Sequence, residues 1–182
     1  RRLGGRDHLR LPDGTFAYFK HKDGHLEPRC EALGAAYCIL ADVVTGQDAV
    51  KALAAHTLQF SDVGVSLFYP FIEENPGIYH NRAAWPFAST FYYLAKEKVT
   101  GESCLQHDAR QLANAIVIPK KVNGNCQGAP EDYQTGSFME YVAWEEKEAR
   151  GTCAQCFTIS AFMNLCLRNG WLDREIHSSR FW

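Results

Sequence analysis

The stretch YHNRAAWPF, residues 79–87, places Tyr79, His80, Asn81, Arg82 and Trp85 directly ahead of an apolar run. Two aromatic faces and three planar polar groups suit one kind of ligand, a ring carrying many hydroxyls. The faces cover its C–H surface, and the imidazole, amide and guanidinium reach its oxygens. A helix beginning here would add free backbone N–H donors. The alternative is a structural corner, with Tyr79 and Trp85 in the core and His80 and Arg82 tied to backbone carbonyls. Glu27 and Arg29, in HLEPRC, are further candidate substrate contacts. An ion pair between them, orienting the start of the next helix, is the preferred alternative. The stretch TCAQC, residues 152–156, is a C-x-x-C at a helix start, where thiol pKa values fall. A redox role needs a preceding strand and surrounding βαβ units, and zinc needs four ligands. Neither setting is legible, so these are two thiols at a helix start, and no metal or cofactor is expected. No local signature supports a Cys-His hydrolase, and glycine-rich phosphate loops are absent.

Five helices must position these residues. The first is expected from Pro28 to Val43, where Leu33, Tyr37 and Leu40 repeat at helical spacing and Pro28 suits a first turn. Thr45-Gly46 turns it into a second, QDAVKALAAHTL, completing a helical hairpin. The third is expected from Arg82 to Val99 with Asn81 as N-cap, Pro86 either marking its true start or kinking its first turn. The fourth starts at Ser103 with Gln106 completing a capping box, and Pro119 stops it. The fifth starts at Thr152 with Gln155 completing another, and ends at Arg168-Asn169-Gly170. Two long loops, roughly 58–80 and 117–151, separate the hairpins, and loops of such length inside a domain usually carry function. A short β-hairpin is expected in each, from GVSLFYPFI and SFMEYVAW. No internal sequence repeat is strong enough to quote.

The chain has 182 residues, 46% of them hydrophobic and 13% aromatic, enough for one domain with a real core. A net charge of −2 and no basic stripe argue against nucleic acid. No apolar run is long enough to span a membrane. The seven cysteines are odd in number and irregular in spacing, so a disulfide framework is not expected. The chain opens on RRLGGRDHLR without Met and closes on HSSRFW, and is expected to be a soluble piece of a longer protein, with any targeting segment outside it.

YHNRAAWPF ahead of an apolar helix resembles a signature of the six-hairpin glycosidase superfamily. DGHLEPRCEALGAAYCIL is similar to that family's Pro-Arg turn leading into an EALG helix. GSFMEYVAWEEKEARGTCAQCFTISAFMNLCLR is similar to its closing segment, in which a loop carboxylate precedes a Gly-x-x-x-Gln stretch, here Gly151 to Gln155. The resemblance spans about residues 15–170, and rests on the order and spacing of three motifs. It implies an all-α fold, the α-hairpins of an (α/α)6 toroid, with the chain as a single domain forming the C-terminal half of the barrel.

It also implies a glycoside hydrolase acting on an oligo- or polysaccharide. Such hydrolysis uses two carboxyl groups, set ~6.5–9.5 Å apart in inverting enzymes. The best match to the general base is Glu140, flanked by Phe138 and Tyr141; the alternative is an exposed strand residue. Tyr79, His80, Asn81, Arg82 and Trp85 would then hold a sugar ring. The general acid is expected outside the chain, in a missing N-terminal half of the barrel, with Glu27 and Asp62 as candidates within it. Glu73-Glu74 and Glu145-Glu146 read as solvated faces. A carbohydrate-binding remnant without catalysis remains open, as do a phosphorylase and a lyase using Tyr79 or His80 as base.

Overall fold

The computed structural model describes residues 8–55, 60, 61, 63–74, 77–102, 138–152, 155–168 and 170. Along the chain run β1 (Cys30–Glu31), α1 (Ala32–Leu40), α2 (Gly46–Ala54), β2 (Phe60–Ser61), β3 (Gly64–Val65), β4 (Phe68–Tyr69) and β5 (Ala83–Ala84). Then come α3 (Pro86–Thr100), β6 (Tyr141–Ala143), β7 (Ala149–Arg150) and α4 (Cys156–Arg168). The fourth expected helix and Asp62 lie outside the described residues.

Helix α1 starts later than expected. Cys30 and Glu31 are taken into a strand against Tyr69 and Phe68, which leaves Pro28 outside the helix. Glu31 becomes the cap, its carboxylate accepting from the N–H groups of Leu33 and Gly34. Helix α3 starts at Pro86, whose missing N–H costs nothing in a first turn, with Trp85 extended ahead of it. Asn81 therefore caps no helix. Gly101, at φ 71°, ends it.

The ends of three helices show their direction. Leu33 and Phe87, in the first turns of α1 and α3, pack into one cluster with Trp85 and Tyr141. Phe87 meets Phe157, in the first turn of α4, with ring centroids 5.6 Å apart. At the opposite end Lys98 pairs with Asp42 at 2.8 Å, and Arg168 with Glu97 at 3.6 Å. Helices α1, α3 and α4 thus run parallel, and α2 folds back beside them, its Leu53 carbonyl accepting from the Tyr92 hydroxyl at 2.9 Å. Between them lie Ala32, Ala36, Ile39, Tyr92, Tyr93 and Leu165, all buried.

The fold is mixed α/β, which overturns the expected all-α toroid. Strands do more than decorate two loops. Strand β4 returns to β1, and β5 pairs with β6 from the far loop, with β7 completing a three-stranded sheet. The reason is burial. Val65, Ser66, Ala83, Ala84, Val142 and Ala143 are shut away from water, and their backbone N–H and C=O groups must find partners there. Apolar loop segments of this kind cannot stay irregular, so they pair across the molecule.

Residues 10–26 hold a repeat that the sequence reading passes over. Antiparallel bridges Arg10↔Phe16 and Lys20↔Leu26 each close a turn containing Asp-Gly. The Asp13 carboxylate accepts from the Thr15 N–H at 2.9 Å, and Asp23 does the same for His25 at 2.9 Å. Gly14 and Gly24 follow at φ 87° and 91°, a conformation strained for any residue with a Cβ. The two units are joined by Tyr18 N–H to the Glu27 carbonyl and Glu27 N–H to the Phe19 carbonyl, at 3.0 and 2.9 Å. An Arg10–Asp48 ion pair holds the first of them to α2.

Candidate functional site

The β5–β6 pairing makes the site. Its antiparallel register, Ala83 opposite Ala143 and Ala84 opposite Val142, sets Trp85 against Tyr141 beside Glu140, and the segment before β5 folds back to this end, the Tyr79 carbonyl accepting from the Trp85 indole. Tyr79 and His80 precede one strand and Glu140 precedes the other. The Tyr79 hydroxyl donates to Glu140 Oε1 at 2.8 Å. The Thr152 N–H and hydroxyl donate to Glu140 Oε2 at 3.0 and 3.2 Å. Thr152 therefore serves the carboxylate instead of opening a helix with Gln155, and α4 begins only at Cys156.

Gly151 makes this approach possible. A Cβ there would lie 2.6 Å from both Glu140 Cβ and Glu140 Oε2, and the residue sits at φ 87°. Both the space and the backbone conformation call for glycine.

Aromatic rings wall the carboxylate on one side. Trp85 stacks on Tyr141 with centroids 5.7 Å apart and planes 19° from parallel. Tyr79 meets both edge-on, at 5.1 and 5.4 Å. His80 lies against Tyr79 and Trp85 at 4.5 and 5.2 Å. Backbone acceptors fix the rings, as the Trp85 indole donates to the Tyr79 carbonyl at 3.0 Å and the Tyr141 hydroxyl to the Ile78 carbonyl at 3.1 Å. Trp85 and Tyr141 are buried, while Tyr79 is 46% exposed. The hydrogen bond to Glu140 raises the Tyr79 phenol above its ordinary pKa, with burial and the carboxylate's charge adding to it. Burial raises Tyr141 as well.

A neutral phenol and a threonine solvate Glu140, and among the described residues no cation pairs with it. Three donated bonds leave lone-pair capacity on the carboxylate for a water. The N-terminal ends of α1, α3 and α4 gather at the same end of the molecule, where helix dipoles favour negative charge.

The rest of the YHNRAAW segment is employed elsewhere. Asn81 is buried, and its amide holds both backbone groups of Ile72, accepting at 2.9 Å and donating at 3.0 Å. Arg82 pairs with Glu145 at 2.6 Å and Glu73 at 3.1 Å, and lies over the Phe71 ring. Glu73 and Glu145 are thus ion-pair partners as well as surface residues. Glu27 and Arg29 pair at 2.6 Å, the arrangement expected of an orienting ion pair. Phe138 packs against Phe162, with ring centroids 5.2 Å apart. Cys156 is a free, exposed thiol, and Cys153 lies outside the described residues. Among the described residues no group of His, Cys, Asp and Glu is placed to hold a metal ion. No described helix is long and apolar enough to cross a membrane.

Sequence reasoning missed Thr152 and the stacking role of Tyr141. A glycine between a strand of mixed polarity and a threonine was the only signal for the first. Comparison with protein-family models and with curated proteins finds no match to this chain.

Proposed function

We propose that the protein is a glycoside hydrolase acting on an oligo- or polysaccharide, with Glu140 as general base. The observation that carries this reading is the Glu140 carboxylate, held by Tyr79 and Thr152 with no cation among the described residues, beside the Trp85–Tyr141 stack. A sugar ring on the exposed face of Tyr79 would lie within reach of His80 and of a water on Glu140. The reaction proposed is an inverting one, in which a base activates water on the face opposite a general acid. Glu27 is taken up in the ion pair with Arg29 at 2.6 Å, so the acid is to be sought outside the described residues.

The alternatives are weaker on specific grounds. A lyase would use Tyr79 or His80 as base, and the Tyr79 hydroxyl is engaged in its bond to Glu140. A phosphorylase needs a cation for phosphate, and Arg82 is engaged by Glu73 and Glu145. A carbohydrate-binding protein without catalysis would use the same rings and not need the carboxylate.

Glu140→Gln separates these readings. Reducing-end release from oligosaccharides should fall by ~10²–10⁴ while binding changes little. Unchanged turnover would remove Glu140 from the mechanism.

A further inference from the structure

We propose that the two Asp-Gly turns of residues 10–26 form a remote glycan subsite, so that the enzyme's substrate is a chain of several sugar units. This rests on the glycoside hydrolase reading and extends it to substrate length. The observation is a continuous run of rings leading away from Glu140. From His80 the run passes to Phe68 at 6.4 Å, then to Tyr18 at 4.8 Å and Phe19 at 5.2 Å. Phe19 meets His21 at 4.6 Å, and His21 meets His25 at 5.5 Å.

Exposure varies along the run in a telling way. Phe68 is buried and acts as the floor, whereas Tyr18 and Phe19 are 46% and 41% exposed. Exposed aromatic rings on a small hairpin cost solvation unless something covers them. The polar groups beside them narrow the choice of what does. His21 is 3.9 Å from Glu27, itself bonded to Arg29, so imidazole, carboxylate and guanidinium lie together next to the rings. Rings beside planar polar groups repeat the composition of the Tyr79–Trp85 cluster, and the run is continuous with it. One ligand that meets both ends is a carbohydrate chain stacked ring by ring. The Asp-Gly turns suit the role because the Asp13 and Asp23 bonds to backbone fix the hairpins that carry the rings.

The test uses Tyr18→Ala and Phe19→Ala, with Tyr37→Ala, an exposed ring elsewhere, as control. Malto-, cello-, xylo- and manno-oligosaccharide ladders, from disaccharide upward, serve as probes. Turnover is followed by end-group release and binding by calorimetry. For whichever ladder the wild type uses, KM and Kd for the long members should rise about tenfold in the Tyr18 and Phe19 variants. The shortest substrate and kcat should be unaffected, and Tyr37→Ala should resemble wild type. Phe19→Tyr, which keeps the ring, should restore the long-chain affinity, and Phe19→Leu should not. Equal effects at every length, or none, with an active wild type would overturn the remote subsite and leave the hydrolase reading standing. A wild type that neither binds nor cleaves any ladder would overturn both.

Discussion

Tyr79 and Arg82 stand in one short segment, and each reaches a glutamate of the same distant loop, with opposite consequences. Tyr79 offers Glu140 a neutral hydroxyl, which orients the carboxylate and leaves its charge uncompensated. Arg82 offers Glu145 and Glu73 a full positive charge, which offsets part of theirs and makes a fastening. A carboxylate that must accept a proton is better served by the first kind of partner, and a loop that must stay in place by the second. The difference shows that residue type alone does not make a site. The charge of the partner, and the side of strand β5 from which it is reached, decide what each glutamate can do.

The largest way to break this contrast is to crowd Glu140. Gly151→Ala places a Cβ where the carboxylate lies and forces an alanine into a left-handed backbone, at a cost of ~1–2 kcal/mol for the backbone alone. Turnover should fall about a hundredfold, as expected when a reacting group is displaced by ~1 Å. Wild-type turnover in a folded Gly151→Ala protein would show that the Glu140 position is not critical.

Next in size is a direct reading of the phenol–carboxylate bond. In Glu140→Ala the Tyr79 phenol loses its hydrogen-bond acceptor, the largest upward cause, and should ionise at lower pH than in the wild type. Spectrophotometric titration detects this, with Tyr79→Phe identifying the transition. A transition that does not move would mean that the pair is not formed in solution.

Arg82→Ala should be milder. Its partners Glu73 and Glu145 are 78% and 59% exposed, so thermal unfolding should register a loss of no more than ~1 kcal/mol. Turnover should be retained. Arg82 lies at φ 52°, so Arg82→Gly should be no less stable than Arg82→Ala. A large rise in KM would instead make Arg82 a substrate contact and erase its difference from Tyr79.

The smallest expected effect lies at the cap of α1. Burial raises the Glu31 carboxyl above the ordinary glutamate value, against the pull of the Gly34 and Leu33 N–H groups. A carboxyl raised by folding holds its proton longer in the native state. Its contribution to stability is therefore present below the unfolded pKa and lost as pH rises through the folded one. Denaturation midpoints measured across that interval should fall slightly in the wild type and stay flat in Glu31→Gln. An opposite slope would mean that the N–H bonds outweigh burial.

Much of the helical content was legible, because Leu33, Tyr37 and Leu40 keep a helical period and Gly101 is a stop that only a left-handed turn explains. The helix starts were less so. Glu31 displaced Pro28, and Pro86 displaced Asn81, since in each case a strand pairing claimed the residues that local rules assign to a first turn. At the site, Tyr79, Trp85 and Glu140 were marked by their types, and the structure brings them together. Asn81 and Arg82 carry the same kinds of polar group, and nothing in their spelling separates a ligand contact from a loop tie. That distinction depends on Ile72, Glu73 and Glu145, which are remote in sequence from one or both.

By itself the sequence determined what depends on near neighbours: helical periodicity, the Thr45-Gly46 turn and a cluster of rings beside polar side chains. Only the tertiary structure decided what depends on burial and partners. Buried loop backbone had to pair, so an expected set of helices became a mixed α/β fold with Ala83 opposite Ala143. That single register sets Glu145 beside Arg82 and Tyr141 against Trp85, over which Tyr79 folds back to reach Glu140. No local rule could supply it, because the free energy that selects it comes from satisfying N–H and C=O groups far apart in the chain.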